Sequence, residues 1–357
     1  MRLPHPMARS RAEYERLAGF PSPCARVTDT HMPKLLPTLR LAALVTAVLS
    51  ALPAVAQNRE ILGEFRIGII GRDRENPIYQ AVWHGAREAA REMADKYSID
   101  VDVRLLTPET AKKGGQPAAL AKLFVEKADG FLISPDPRDA KALRESLRFA
   151  TRHGQQIVFI ESRIEGVDPL VSLLANETEA GRLAAEAILP RLQTGARVAI
   201  LTTENPTDAL EQRLEGARSV LGFRRIQTVV RCQPNYASAV QAIRQAHAAD
   251  RNGRIEGWVF LGEWPLAGMP AYPWAPGDLP CVAIQATPTA FLHFERNHVE
   301  ALVAHPYHMW GRRGVEVLVE KLFNENSPEQ PRFTAEPKII DFRNIAAYRE
   351  KWREWLN

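Results

Sequence analysis

The residues best placed to do chemistry lie between an apolar strand and a helix, in the segment Arg66–Tyr79, which reads RIGIIGRDRENPIY. Its isoleucines predict a short strand that ends at Gly71. Asn76 and Pro77 predict a helix start, because the Asn side chain can accept an orphan backbone N–H and proline has none to lose. The polar loop between them therefore lies at the carboxyl edge of a sheet, where α/β proteins bind ligands. Asn76 offers an amide there, and Tyr79 offers an aromatic ring. The alternative interpretations are that Asn76 is simply a helix cap and that Tyr79 packs in the core.

Motifs of enzymes and nucleotide-binding proteins are missing from the sequence. Gly68 and Gly71 do not complete a G-x-G-x-x-G fingerprint, and neither G-x-x-x-x-G-K-[ST] nor G-x-S-x-G occurs. Four histidines lie close together in sequence, but their spacing matches no common zinc motif and no carboxylate accompanies them. They are His293, His298, His305 and His308. The sequence thus predicts no catalytic residue, no metal site and no cofactor.

The basic charge of the chain is concentrated at its N-terminus. The 357 residues carry a formal net charge of +4, and residues 1–56 hold seven basic against three acidic side chains. The remainder is therefore neutral overall. Since a nucleic-acid-binding domain keeps a basic excess in its folded part, the composition argues against a nucleic-acid partner.

A short apolar segment near the N-terminus has the pattern of an export signal. A basic run precedes the twelve residues Leu41–Leu52, and a small-residue cleavage site comes just before Gln57. Twelve residues are too few to span a bilayer, which takes about 20. We therefore expect residues 32–56 to be a signal peptide and residues 1–31 to be a non-native or disordered extension upstream of the true start at Met32. A cytosolic protein with a hydrophobic linker is the alternative.

Strands and helices alternate along the rest of the chain. One set of strand–helix units runs from Arg66 to Glu161, and a second set begins at Ala196. This alternation predicts parallel, doubly wound sheets, and the two sets predict two similar lobes. The regularity breaks at Trp264–Pro276, where prolines replace an expected helix.

Two cysteines lie in this part of the chain. Cys232 ends one predicted strand and Cys281 begins another. Opposite strand ends lie farther apart than the ~4.4–6.8 Å between Cα atoms that a disulfide requires. We expect two buried free thiols, although an oxidising compartment permits a disulfide.

From Phe65 to about Phe342 the chain resembles the type I periplasmic binding proteins of the ribose-binding and sugar-binding class. The resemblance implies an α/β fold of two doubly wound parallel-sheet lobes, which are joined by three crossovers and close like a hinge on a small polar ligand. The segments that carry it are Arg66–Tyr79, Ala128–Pro135, Asn176–Glu186, Val198–Gly216, Val282–Ala290 and Ala301–Gly311.

The resemblance also implies the division of the chain. The first lobe comprises residues 63–163 plus 306–330, the second comprises 164–305 plus 331–342, and residues 343–357 form a C-terminal helix. The implied crossovers lie near Arg163–Asn176, near Gln285–Val303 and after Pro331.

Nine ligand-binding residues follow from the resemblance, position by position. They are Asn76, Tyr79, Asp136, Arg163, Glu211, Glu263, Trp264, Gln285 and His305. In the family, an amide and an aromatic ring at the first two positions meet the hydroxyls and the C–H face of a sugar.

Several of these positions depart from the family pattern. Gln285 stands where many members have aspartate, His305 where they have glutamine, and Glu211 where arginine is common. Arg163 is displaced by one position from the crossover arginine, and Asp136 precedes a proline that replaces a common aspartate. In addition, the segment that begins at Glu263 replaces the usual Asn-Asp. These departures indicate a ligand other than ribose.

Each position also has a purely structural interpretation. Arg163 can form a hinge ion pair with Glu161 or Glu165, and Trp264 can fill the space of the missing helix. His305 can be a capped loop residue.

The resemblance implies a monomeric periplasmic protein that is not an enzyme and that hands a sugar-like ligand to the membrane permease of an ABC importer. A sensor that passes the closed lobes to a membrane receptor or histidine kinase is the alternative. The effector domain of a lac-repressor-type transcription factor shares the fold, but such a repressor needs a helix-turn-helix where this chain has its predicted export signal.

Overall fold

The computed structural model describes residues 60–109 and 114–357. The predicted N-terminal extension, the predicted signal peptide and the predicted mature start at Gln57 lie outside these residues and stay predictions. Within the described part of the chain, no helix combines the length and apolarity needed to cross a bilayer.

Two six-stranded sheets organise the described chain, with strands numbered in chain order. The first sheet contains β1 (Glu64–Ile70), β2 (Asp100–Leu105), β3 (Gly130–Ile133), β4 (Gln156–Ile160), β5 (Val171–Ala175) and β11 (Arg332–Ala335). Its strand order is β11-β5-β4-β3-β1-β2, and every neighbouring pair runs parallel.

The second sheet repeats this plan with one reversed edge strand. It contains β6 (Arg197–Thr203), β7 (Ile226–Cys232), β8 (Ile255–Phe260), β9 (Cys281–Ile284), β10 (Ala301–Ala304) and β12 (Lys338–Ile340). The order is β12-β10-β9-β8-β6-β7, and only the β10–β12 pair is antiparallel among these strands.

Helices cover the faces of both sheets. The first sheet carries α1 (Ile78–Tyr97), α2 (Gly115–Val125), α3 (Ala140–Arg152) and α8 (Tyr307–Asn324). The second carries α4 (Glu177–Ile188), α5 (Asp208–Arg225), α6 (Tyr236–Ala249) and α7 (Pro288–Glu295), and α9 (Ile345–Leu356) ends the chain. Along β1, Ile67 and Ile69 pack on one side of the sheet and Ile70 on the other, as a doubly wound sheet requires. The predicted two-lobe α/β fold is confirmed.

The strand pairing corrects the predicted lobe boundaries. The predicted boundary after residue 163 assigns β5 to the second lobe. In the structure, Val171 of β5 pairs with Val158 of β4 in the first sheet. β11 pairs with β5 and also belongs to the first lobe, although residues 331–342 were assigned to the second. The reason is burial: Val171 and Leu173 lie in the same hydrophobic cluster as Val158 and Ile160 of β4.

Three short crossovers join the lobes. The first is at Asn176, between β5 and α4, at the end of the predicted window. The second is at His305 and Pro306, after β10 and not within 285–303 as predicted, because β10 completes its pairing with β9 first. The third is at Glu336, between β11 and β12, and its carboxylate accepts the side-chain N–H of Asn176 at 3.2 Å.

Glycine pairs allow two helix crossings to be very close. In the first lobe, a Cβ on Gly85 of α1 would lie 2.1 Å from a carbonyl of α8, and one on Gly311 would lie 1.7 Å from a carbonyl of α1. Gly181 of α4 and Gly216 of α5 form the same arrangement in the second lobe. Since real Cβ atoms do not approach backbone so closely, each crossing requires glycine.

The C-terminal helix α9 contacts both lobes. Its Trp352 is fully buried, and the indole Nε1–H donates to the carbonyl of Ala286, just after β9, at 3.1 Å. Its Trp355 stacks on His308 of α8 with ring centroids 5.3 Å apart. This helix therefore fastens the end of the chain across the two lobes.

Cys232 and Cys281 are buried and unpaired, as expected for thiols at opposite strand ends. Burial raises the pKa of both thiols, and for Cys281 the shift is large. Neither group is therefore activated for thiolate chemistry.

Candidate ligand-binding cleft

The carboxyl ends of the first sheet gather charged side chains around Glu161, which follows β4. Arg72, which follows β1, donates from Nε to the carbonyl of Pro135 at 3.0 Å and from Nη2 to Ser162 Oγ at 2.8 Å. Its Nη1 lies 3.6 Å from Glu161 Oε1. Burial opposes the charge of Arg72, but Glu161 and other nearby groups outweigh it and raise the pKa above its ordinary value. The guanidinium is thus a fixed donor at this edge.

Glu161 is held in an unusual backbone conformation. Its φ is +64°, in the left-handed region that favours glycine, and Gln285 after β9 of the second sheet has φ +84°. Glu161 Oε2 accepts the Ser134 hydroxyl at 2.6 Å and the Tyr79 hydroxyl at 3.1 Å. Backbone strain of this kind costs on the order of 1–3 kcal/mol and concentrates at functional sites. The carboxylate is therefore positioned at a cost to stability.

The second lobe contributes a buried ion pair with a histidine. Arg213 of α5 donates to both carboxylate oxygens of Glu177, at 2.7 and 3.1 Å, and to the carbonyl of Leu261 at 2.8 Å. His305 Nε2 lies 3.0 Å from Glu177 Oε2. Burial acts to raise the pKa of Glu177, but attraction to Arg213 and His305 outweighs it and holds the pKa far below its usual range.

A hydrogen bond joins the two lobes across the cleft. Asn76 Nδ2 in the first lobe donates to Glu263 Oε1 in the second at 3.0 Å. Burial raises the pKa of Glu263, and the negative charge of Glu161 raises it further. The hydrogen bonds from Asn76 and Thr287 act to lower this pKa but do not outweigh burial. Glu263 therefore has less tendency to ionise than an ordinary glutamate and interacts electrostatically with both lobes.

Several buried polar atoms in the two lobes and at the second crossover have no hydrogen-bond partner among the described residues. They are His305 Nδ1, Tyr307 Oη, Trp310 Nε1, Thr202 Oγ1 and Thr203 Oγ1. The Tyr307 side chain lies close enough to Arg213, Glu161 and Glu263 to interact with their charges. An unsatisfied buried polar group costs about 1–3 kcal/mol, so these atoms are available to hydrogen-bond a polar guest.

The structure brings some of the predicted site residues together. Asn76 and Glu263 are hydrogen-bonded, and His305 reaches Arg213 through Glu177. Tyr79 approaches this group by its hydroxyl, while its ring is 3% exposed and lies against Gly71, where a Cβ would be 2.3 Å from a ring atom. The ring face therefore packs in the lobe.

Three further predicted residues lie at the strand ends with other contacts. Asp136 is buried, and its Oδ1 accepts a hydrogen bond from Arg138 Nε at 2.9 Å. The Trp264 ring covers Gly262, where a Cβ would be 1.9 Å from a ring atom, as expected for a side chain that fills space. Gln285 donates its backbone N–H to the carbonyl of Val303 at 2.8 Å.

Arg163 and Glu211 are exposed and make none of the contacts described above. Arg163 lines a surface cavity of about 320 Å³ with Asp168 and Arg332. Glu161 pairs with Arg72 and not with Arg163. The buried arginine of α5 is Arg213, two residues after Glu211, and it pairs with Glu177.

Sequence reasoning missed Arg72, Glu177, Arg213 and Tyr307. A signal for Arg213 exists, because it lies within the apolar stripe of α5 beside Leu214. A charge on a buried helix face requires a partner, and Glu177 supplies it.

A family model described as periplasmic binding protein domain matches residues 67–326. The chain belongs to the periplasmic binding protein family. This family binds solutes and is non-enzymatic, as predicted from the sequence, and membership implies a location outside the cytoplasm. No curated protein sequence matches the chain significantly.

Solved structures share the fold of this periplasmic binding protein. A periplasmic ribose ABC transporter protein from Conexibacter woesei has a TM-score of 0.68 at 20% identity, covering 84% of this chain and 100% of its own. An ABC transporter solute-binding protein from Agrobacterium vitis, bound with α-D-tagatopyranose, has a TM-score of 0.66 at 17% identity, covering 80% and 98%. A chain of the XylFII–LytSN complex has a TM-score of 0.58 at 17% identity, covering 80% and 100%. These identities establish the shared fold only.

Proposed function

We propose that this protein captures a sugar or a sugar-like small polar ligand between its lobes in the periplasm and presents it to the permease of an ABC importer. The observation that carries the proposal is the cluster of buried polar groups contributed by both lobes, linked across the cleft by Asn76 and Glu263. Ligand contacts to both lobes favour the closed state over the open one, which is the basis of hinge closure.

The charges of the cluster favour a neutral ligand. Arg72 is compensated by Glu161, and Arg213 by Glu177. The raised pKa of Glu263 favours its neutral form. Because both arginines are paired with carboxylates, neither offers an excess positive charge to an ionic guest, whereas the many donors and acceptors of the cluster suit the hydroxyl groups of a polyol or sugar.

A thermal-shift screen of the purified protein tests this proposal. The panel contains mono- and disaccharides and polyols, with sugar acids and amino acids as charged comparisons. A ligand at about 100 times its Kd stabilises by roughly 2.7 kcal/mol, a Tm increase of a few degrees for a chain of this size. We expect neutral polyhydroxylated compounds to give the increase. A response restricted to charged compounds would contradict the proposal.

Once a ligand is found, Glu161→Gln is expected to weaken its binding by about 10- to 150-fold. A hydrogen bond to a charged group contributes about 1.5–3 kcal/mol, and a tenfold change corresponds to 1.4 kcal/mol. Isothermal titration measures Kd for the wild type and the variant. Glu215→Gln, an exposed position on α5, is the matched control and should bind normally. Equal affinities for all three proteins would remove Glu161 from the site.

A sensory role is the second candidate. The observation in its favour is that one structural relative comes from the XylFII–LytSN complex, so this fold also serves in an assembly with a second protein. Pull-down by the ligand-bound protein from solubilised membranes distinguishes the roles, because an importer permease and a sensor receptor are identified by mass spectrometry.

A further inference from the structure

A cluster of two histidines and a glutamate lies between α1 and α8, apart from the cleft residues. It consists of His84 and Glu88 on α1 and His308 on α8, and one potential ligand atom from each lies within 4.8 Å of the others. His308 Nε2 is 2.8 Å from Glu88 Oε2, and His84 Nδ1 is 3.6 Å from Glu88 Oε1. Sequence patterns do not reveal this cluster, because the partners of His308 lie more than 200 residues earlier in the chain.

The packing of the two helices holds this arrangement in place. His84 and Glu88 are four residues apart and therefore share one face of α1. The crossing of α1 and α8 is fixed by Gly85 and Gly311, which places the rings of His84 and His308 with their centroids 5.6 Å apart. Rigid helices support a metal site better than loops do.

The hydrogen bonds of the cluster are incomplete. His84 Nδ1 is buried and has no hydrogen-bond partner among the described residues. Its distance of 3.6 Å to Glu88 exceeds that of a hydrogen bond. Arg312 Nη1 lies 4.0 Å from Glu88, but this guanidinium donates to Glu92 at 2.9 Å. A buried, unpartnered imidazole nitrogen beside a carboxylate and a second imidazole matches the donor set of a divalent transition metal.

We propose that His84, Glu88 and His308 bind a zinc ion. Imidazole nitrogen and carboxylate oxygen coordinate zinc at about 2.0–2.2 Å, and three protein ligands leave a fourth position for water. The side chains are 24%, 34% and 21% exposed, so solvent reaches that position. Ligand atoms around a tetrahedral zinc are roughly 3.3 Å apart. The three atoms lie within 4.8 Å of one another, so zinc binding would require side-chain rotation to bring them closer. The ion would tie α1 to α8 in the first lobe, and the inference does not rest on the proposed function.

Zinc titration of the full-length, untagged protein after chelation and dialysis tests the site. Calorimetry with competition against a chromophoric chelator should give one zinc per chain. His84→Gln and Glu88→Gln should each weaken binding by at least about 10- to 100-fold, the effect known even for outer groups of zinc sites. His153→Gln is the matched control, because this exposed first-lobe histidine lies outside the cluster.

A crystal of the zinc-loaded wild-type protein provides a test that needs no variant. Anomalous scattering at the zinc edge should show a peak between His84, Glu88 and His308. The proposal is overturned by the absence of stoichiometric binding, by normal binding in both variants, or by a peak only at other residues.

Discussion

Replacing Glu177 by alanine is expected to lower the free energy of unfolding by about 3–5 kcal/mol, the usual cost of breaking a buried ion pair from one side. Glu177 and Arg213 are each 7% exposed at their side chains. Without the carboxylate, the Arg213 guanidinium keeps its charge in a buried position, and His305 loses the acceptor at 3.0 Å. Denaturant unfolding at pH 7, followed by circular dichroism, measures the loss.

A surface pair on the same helix is the control for this variant. Glu186 of α4 pairs with Arg182, and both side chains are more than a third exposed. Glu186→Ala should cost only about 0–1 kcal/mol, because exposed pairs are screened by solvent. A Glu177→Ala loss no larger than that of Glu186→Ala would show that the buried pair is not needed for stability.

The stabilisation by Glu177 should also depend on pH in a defined direction. Its pKa is lowered in the folded state, while the unfolded chain has the ordinary value of about 4.3. The contribution is therefore complete above that value, declines as the pH falls below it, and disappears below the lowered pKa. The difference between wild type and Glu177→Ala should accordingly shrink between pH 7 and pH 3. A difference that grows on acidification would contradict this assignment.

Trp352→Ala should destabilise the protein by about 3–5 kcal/mol, the range for removing a buried aromatic side chain. The Trp352 ring is 1% exposed and lies 5.8 Å, centroid to centroid, from Tyr307 at the start of α8. The substitution also removes the hydrogen bond to the carbonyl of Ala286. Since these two contacts belong to different lobes, we expect α9 to detach and the lobes to lose a common support.

Thermal unfolding together with amide hydrogen exchange of α9 measures this effect. Trp352→Phe should retain part of the stability, because it keeps an aromatic ring but not the donor. Lys351→Ala, at an exposed neighbouring position, should change stability by no more than about 0.5 kcal/mol. Unchanged exchange protection of α9 in Trp352→Ala would show that the helix is held by other contacts.

Local sequence patterns predicted the alternation of strands and helices, but sheet membership depends on distant residues. The segment of β5 has the apolar character of a strand, yet its partners are β4 and β11, and β11 lies more than 150 residues later. The lobe boundary implied by the family resemblance, after residue 163, comes too early for the same reason. A strand does not encode which of two similar sheets it joins.

Single side chains of the candidate cleft also have partners that are distant in sequence, and local patterns do not identify these partners. Asn76 was predicted from its position before a proline, a local signal, and its partner Glu263 was predicted separately. The sequence predicts Glu211 as a ligand-binding residue, but the buried side chain is that of Arg213. Residues two positions apart on a helix point in nearly opposite directions. Glu161 meets Arg72 and not Arg163, because loops from different strands converge at one edge of the sheet.

The placement of β11 and β12 has a consequence for how the polypeptide is made. Each is the edge strand of a different sheet, and both come from the last 26 residues of the chain. A nascent chain that stops at Asn324 contains neither strand, so an N-terminal fragment that ends before β11 holds neither sheet in complete form. Pairing between segments so far apart in sequence forms slowly. Each sheet is therefore completed only after β11 or β12 has been made, and this order is compatible with transport of the chain across a membrane before it folds.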